Sequence, residues 1–218
     1  MNSTTHLLLD RSAAADQEPL ETTIALGKTG AGKTTTLNAV TGLAWPTDPV
    51  VACTMQPTVA VLRRGEYPML NRPAHRMVDL PGIGESVTAD QTYLPMYQEW
   101  AARADRVLYI IQADTRTYKQ DQIILTRIAP LLKRGARFTL AVNQVDRMAG
   151  WDAPGHQWVT PTTEQLRHLT ERLDDVFEAF GEVLGKATSF HKSDVIPYAA
   201  ARGWGLDRVR RLFFHVEG

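Results

Sequence analysis

Eight consecutive residues, Gly27-Lys28-Thr29-Gly30-Ala31-Gly32-Lys33-Thr34, combine three glycines, two lysines and two threonines at a spacing suited to holding a polyphosphate. A triphosphate presents several negative charges, so its site needs many N–H donors at close range with no bulky side chains between them. Gly27, Gly30 and Gly32 let the backbone curl around the β-phosphate. The helix expected from Lys33 onward adds the unpaired N–H groups and positive dipole end of its first turn. Lys33 then reaches the β and γ oxygens, and Thr34 offers a hydroxyl to Mg²⁺. The predicted phosphate-binding run is Lys28, Thr29, Gly30, Ala31, Gly32, Lys33, Thr34 and Thr35.

Three later segments follow in a telling order: Asp79-Leu80-Pro81-Gly82, Asn143-Gln144-Val145-Asp146 and Pro197-Tyr198-Ala199-Ala200. Asp79 ends the predicted strand His75–Asp79, where its carboxylate can hold Mg²⁺ through water, and Gly82 offers a backbone N–H able to sense a γ-phosphate. Asp146 stands where a carboxylate can accept both N1–H and the exocyclic amino group of guanine, a donor pair that adenine lacks. Leaving that carboxylate unpaired against adenine would discriminate strongly. Together the segments point to guanine and to GTP.

Residues at such distances in sequence must be gathered by a sheet. Short apolar runs alternate with amphipathic stretches. Strands are predicted at Thr22–Leu26, Thr58–Arg63, His75–Asp79, Val107–Ala113, Phe138–Asn143 and Asp194–Ala199. Helices are predicted at Lys33–Thr41, Thr92–Arg103, Asp121–Lys133, Thr163–Phe180 and Asp207–Val216. Near-continuous apolar strands such as Val107–Ile111 indicate a mostly parallel sheet covered by helices on both faces, a three-layer α/β fold. Such a sheet presents ligand sites at the carboxyl ends of its strands, where every motif above falls. The link Arg64–Pro73 is too short and too Pro-broken for a crossover helix, so the two strands it joins should pair antiparallel. Residues 1–20 read as a polar, flexible arm and 21–218 as one domain. The loop Met148–Pro161 is long enough for a role of its own, although its two tryptophans equally suit a packed surface loop.

The 24 Lys+Arg balance 24 Asp+Glu, so net charge gives no general attraction to nucleic acid or an acidic membrane. A single cysteine, Cys53, excludes an intramolecular disulfide framework and fits a reducing cytoplasm. The start lacks the pattern of a secretion signal, and no apolar run approaches the ~20 residues of a membrane span, so a cytoplasmic, soluble protein is expected.

These segments resemble those of the P-loop GTPases of the translation-factor-related class, in particular the Era-like group and its predicted bacterial GTP-binding relatives with Gly-Lys-x-Gly-Ala-Gly-Lys loops. The resemblance runs over roughly residues 22–216. It implies the P-loop NTPase fold, Mg²⁺ held by Thr34, Thr54 and Asp79, and catalysis involving Lys33, Thr54 and Gly82, with Thr58 as the alternative switch threonine. It also implies guanine contacts from Asn143, Gln144, Asp146, Ala199 and Ala200, the last donating its N–H to guanine O6, and switch loops at Ala44–Pro57 and Pro81–Asp90. Trp204 reads as packing.

Two departures matter. Gln144 stands where the family usually has lysine, and Ile83 follows Gly82 where many GTPases carry the glutamine that orients the attacking water. A potassium route through a P-loop asparagine is not supported, because Gly30 holds that position. Slow intrinsic GTP hydrolysis is therefore expected, accelerated by self-association into a homodimer or by an activating protein partner. Ribosome or RNA engagement is suggested only by some Era-like relatives. Lys28, Arg63, Arg64 and Arg116 read as solvated surface charges. Two other readings stay open: a dimeric ATPase of the deviant Walker A type, for which Lys28 occupies the signature position, and a module that binds GTP without hydrolysing it.

Overall fold

The computed structural model describes residues 20–47, 56–84, 86–148, 150–151, 161–185 and 188–215. Thr54, Cys53, most of the arm and the greater part of the loops at 44–57 and 148–161 lie outside them. Strands β1 (Glu21–Leu26), β2 (Thr58–Arg63), β3 (Ala74–Asp79), β4 (Arg106–Gln112), β5 (Arg137–Asn143) and β6 (Val195–Pro197) form one sheet in the order β2-β3-β1-β4-β5-β6. Only the β2–β3 pair is antiparallel; the remaining neighbours run parallel.

The two faces sort by residue parity. Val107, Tyr109 and Ile111 of β4 join one apolar cluster, with Ile124, Leu125, Val176 and Phe180, whereas Leu108 and Ile110 join another, with Leu37, Val40, Leu206, Val209 and Phe213. A strand buried on both sides has no polar alternate positions, which is why β4 reads as a solid apolar run. The covering helices are α1 (Lys33–Thr41), α2 (Val87–Arg103), α3 (Lys119–Ile128), α4 (Thr163–Leu184) and α5 (Leu206–Arg210).

Where helix limits differ from expectation, capping or tertiary pairing decides. Helix α2 starts five residues early because the Ser86 hydroxyl accepts the Ala89 N–H at 3.0 Å, an N-cap that stabilises a first turn irrespective of apolar periodicity. Helix α3 stops at Ile128, and the chain continues as a tight 3₁₀ turn through Pro130, since proline has no N–H to donate back to the preceding turn. Helix α4 opens with a reciprocal capping box between Thr162 and Gln165 and runs past Gly181 to Leu184. The last helix is the largest departure. It ends at Arg210, and the following residues turn so that Asn71 N–H donates to Phe213 O at 2.9 Å and His215 N–H to Met69 O at 2.7 Å.

His75 on β3 is fully buried, with Nε2 2.9 Å from Thr23 Oγ1 and its ring edge-on to Phe213. Burial, helped by Arg106 and Arg72, lowers its pKa to about 4. The unfolded chain therefore binds a proton here that the folded chain refuses. Stability should be complete above about pH 6.5 and fall by about 3 kcal/mol as pH drops to about 4. Urea denaturation at pH 7 and pH 4.5 checks this: His75→Gln should shrink the pH-dependent difference relative to the parent chain, and an unchanged difference would contradict it.

Candidate functional site

The carboxyl ends of β1, β3, β4, β5 and β6 share one edge of the sheet; Gln112 lies in register with Asn143, and Val142 with Pro197. The loop from Gly27 to Gly32 crosses this edge and enters α1. Gly32 adopts φ 87°, and a Cβ there would lie 2.4 Å from Asn143 Nδ2, so only glycine fits between α1 and β5. Lys33 is buried and folds back over the loop, its Nζ 3.2 Å from both Gly27 O and Lys28 O. Thr34 occupies the same first turn, and Thr35 beside it is exposed.

Side chains from neighbouring strands hold the loop. Asn143 donates Nδ2–H to Ala31 O at 2.9 Å and accepts the Ala200 N–H on Oδ1 at 3.0 Å, tying the loop to the segment after β6. Gln144, the one non-glycine residue with positive φ among the described residues, donates to Gly30 O at 3.0 Å, and Gln112 donates to the same oxygen at 3.1 Å. Gln144 thus faces the loop. The Ala200 N–H is already engaged by Asn143, so a base carbonyl at that position must share or displace this bond. Ala199 N–H is taken by Trp204 O at 2.9 Å. Asp146, mostly buried, keeps a long 3.5 Å ion pair with the exposed Arg202, a rim contact worth little in water. Trp204 packs edge-on against Trp151, as a packing residue does.

Asp79 is 1% exposed. Its Oδ2 accepts the Thr34 hydroxyl at 2.5 Å and its Oδ1 has no hydrogen-bond partner. Burial raises its pKa, opposed by the Thr34 bond and the Lys33 charge. A buried carboxylate oxygen left unsatisfied beside a threonine hydroxyl fits a divalent cation, which would offset the cost of keeping that charge out of water. Thr58 stands in register with Asp79 across β2–β3, so the alternative threonine lies on the same edge.

The segment after Asp79 is laid along the phosphate loop. Ile83 N–H donates to Gly27 O and Ile83 O accepts the Thr29 N–H, both at 3.1 Å. A Cβ on Gly82 would lie 2.0 Å from Thr29 Oγ1. Tyr97 on α2 donates to Pro81 O or Gly82 O, at 3.2 and 3.3 Å, while Asp90 accepts Gly84 N–H at 2.8 Å and also bonds Gln120. Ile83 itself is buried in the core. The loop expected at 81–90 is therefore shorter, since α2 begins at Val87, and it is fastened at both ends.

Lys28 is a correction to the surface reading. Its Nζ lies 2.8 Å from Asp121 Oδ2 and 2.8 Å from Thr117 O. Asp121 is fully buried in α3 and takes the Tyr109 hydroxyl on its other oxygen at 2.9 Å. The sequence did carry a signal: Asp121 interrupts the apolar stripe Ile124, Leu125, Ile128, and an acid on the core side of a helix needs a partner. Gln112, a polar residue ending an apolar strand beside Asn143, was legible in the same way. Asp90, Tyr97 and Arg202 had no comparable mark.

A sheet whose first strand runs through a glycine-rich, lysine-bearing loop into a helix, with Asp79 and Asn143 at later strand ends, defines the P-loop GTPase class, at the Era-like level. The chain belongs to the family described as 50S ribosome-binding GTPase, whose pattern matches residues 22–144. It is 41% identical over 159 residues to the uncharacterized protein YfjP of Escherichia coli strain K12 and 38% identical over 159 residues to the uncharacterized protein YkfA of the same strain, covering 72% of this chain in both cases. The chain spans about half the length of these curated relatives, 52% of each. Among solved structures, it is similar in fold to Aquifex aeolicus Era bound to GDP and aluminium fluoride (TM-score 0.64, 17% identity, 91% of this chain, 58% of that one). It is also similar to Arabidopsis thaliana Toc33 in complex with Mg²⁺ and GMPPNP (TM-score 0.61, 15% identity, 96% of this chain, 93% of that one). No helix among the described residues is long and apolar enough to cross a membrane.

The Lys28–Asp121 contact predicts a stability effect that a solvated lysine would not have. Lys28→Met leaves the Asp121 carboxylate buried and unpaired and should cost about 3 kcal/mol. The double variant Lys28→Met/Asp121→Leu should recover most of it, whereas a surface charge would change stability by less than about 0.5 kcal/mol. Denaturant unfolding of the three proteins measures both quantities.

Proposed function

We propose that residues 21–218 bind GTP with Mg²⁺ and hydrolyse it slowly to GDP and phosphate, the switch segments reporting which nucleotide is bound. The observation that carries this reading is the two-handed grip of Asn143 on Ala31 O and Ala200 N–H. It couples the phosphate loop to the segment after β6 and leaves Asp146 at the same strand end, where its carboxylate can take the two guanine donors. In this reading Lys28 through Thr35 surround the phosphates, Lys33 neutralises charge spread over the transferred phosphoryl group, and Thr34 and Asp79 hold the metal, with a threonine from residues 54 or 58. Bound Mg²⁺ would supply Lewis-acid stabilisation of the phosphate oxygens. The Toc33 complex with Mg²⁺ and GMPPNP supports that composition by likeness of fold.

Ile83 favours a partner-dependent reaction. A buried isoleucine cannot orient water, so the group that does comes from elsewhere: a backbone group, a residue of the loop at 44–57, a second copy of the chain or another protein. A chain that only binds GTP would carry the same residue. Phosphate release with protein in excess over GTP separates the two readings. Ribosomal RNA as a partner is supported by fold likeness to Era complexed with a 16S ribosomal RNA segment and by the family's description. The deviant Walker A reading is disfavoured because the Lys28 amine is held by Asp121 and Thr117 O of its own chain, whereas that mechanism needs a lysine extended toward a partner.

Competition of unlabelled GTP and ATP against a fluorescent GTP analogue, with Mg²⁺ present, tests the base reading. GTP should win by at least roughly a hundredfold, the discrimination expected when a buried carboxylate loses both partners. Asp146→Asn should abolish most of that preference while leaving the fold intact. Equal competition by ATP in the parent chain would return the lead to the ATPase.

A further inference from the structure

The sheet edge opposite the phosphate loop holds a cavity of about 420 Å³ whose lining includes Arg106, Lys133, Arg134, Arg137, His191 and Asp194. Arg106 opens β4, Arg137 opens β5, and the parallel register sets them side by side. Like charges placed directly opposite on adjacent strands repel. Arg106 is also 5% exposed. Its Nε has no hydrogen-bond partner, and its Nη1 makes only a long 3.5 Å contact to Thr139 Oγ1. A buried guanidinium ordinarily meets a carboxylate or another anion.

Among the described residues no acid pairs with this guanidinium. Asp105 is committed to Lys133 at 2.9 Å and to the Thr22 N–H at 2.8 Å. Asp194 lines the cavity and accepts the His191 N–H at 2.8 Å. Among the described residues no ion pair engages Arg106, Arg134 or Arg137. Burial and the Arg137 charge depress the Arg106 pKa to about 10, against the opposing pull of Asp194. The volume falls within the range of small-molecule sites.

We propose that this cavity binds a phosphate dianion, free or as the monoester of a small molecule, with Arg106 as the buried anchor and Arg137 and Arg134 as rim donors. A carboxylate would neutralise one of the three guanidinium groups; a phosphate carries nearly two charges and three acceptor oxygens, and guanidinium forks match that geometry. The site lies at the amino-terminal ends of β4 and β5, whose other ends carry Gln112 and Asn143, so it is separate from the nucleotide edge and does not rest on GTP binding.

The test is a titration of inorganic phosphate followed by thermal unfolding and calorimetry, with sodium chloride at matched ionic strength as the reference. It is run on the parent chain and on Lys33→Ala, Arg106→Gln and the double rim variant Arg134→Ala/Arg137→Ala. Saturable stabilisation should persist in Lys33→Ala, and affinity should fall by roughly tenfold or more in Arg106→Gln and in the rim variant, as expected when charge-assisted bonds are removed. The rim residues are exposed, so their variant decides if Arg106→Gln does not fold. Glycerol phosphate binding more tightly than inorganic phosphate assigns a monoester, and equal binding assigns the free ion. Stabilisation no greater than that by chloride, stabilisation lost in Lys33→Ala but kept in the rim variant, or a short RNA outcompeting both phosphates by orders of magnitude would each overturn the proposal.

Discussion

A loop that offers its N–H groups to an anion has to satisfy its own carbonyls somewhere else, and the architecture around residues 27–32 follows from that requirement. Gly27 O takes Ile83 N–H and the Lys33 amine, Lys28 O takes the Lys33 amine, Gly30 O takes two glutamine amides, Ala31 O takes Asn143, and Gly32 O takes the Thr36 N–H and hydroxyl. Each donor comes from a different part of the sheet edge or from α1. The loop is thus held by its acceptors, which leaves its geometry fixed before any ligand arrives, the condition for electrostatic stabilisation without reorganisation.

The same bonds link the loop to α2 and α3. Ile83 pairs with the loop on one side and packs into the core on the other, while Gly84 hangs from Asp90 on α2. Gln120 and Asp121 are consecutive on α3; one bonds Asp90 and the other pairs with Lys28. A shift of the segment at 82–84 must therefore disturb either the loop carbonyls or the α2–α3 polar contacts. Buried polar networks of this kind have discrete arrangements because partial satisfaction is costly, which suits a two-state element.

Charge is handled differently at the two ends of the sheet. At the carboxyl edge, Lys33 is stationed over loop carbonyls and Lys28 is neutralised by Asp121, so positive charge is rationed and directed. At the amino edge, Arg106 and Arg137 lie side by side, and among the described residues neither makes an ion pair. Parallel strands force both outcomes: they align all starts on one side and all ends on the other, so residues at equivalent positions become neighbours.

The sequence by itself determined the sheet and the placing of the glycine-rich loop, Asp79 and Asn143 at the carboxyl ends of its strands. Glycine spacing, apolar runs of strand length and polar residues at strand ends are local patterns with local causes, and Lys33–Thr41 and Thr58–Arg63 emerged with the limits read from the chain. The short Pro-broken link likewise foretold the antiparallel β2–β3 pair. What the tertiary structure alone decided were the contacts between residues far apart in sequence. Lys28 reaches Asp121 across 93 positions, Arg106 meets Arg137 through strand register, and the last helix yields to pairing with residues 69–71. A lysine's composition and flanking residues do not reveal whether a buried carboxylate waits across the fold. Such partnerships depend on register and packing, and these exist only once the sheet has closed.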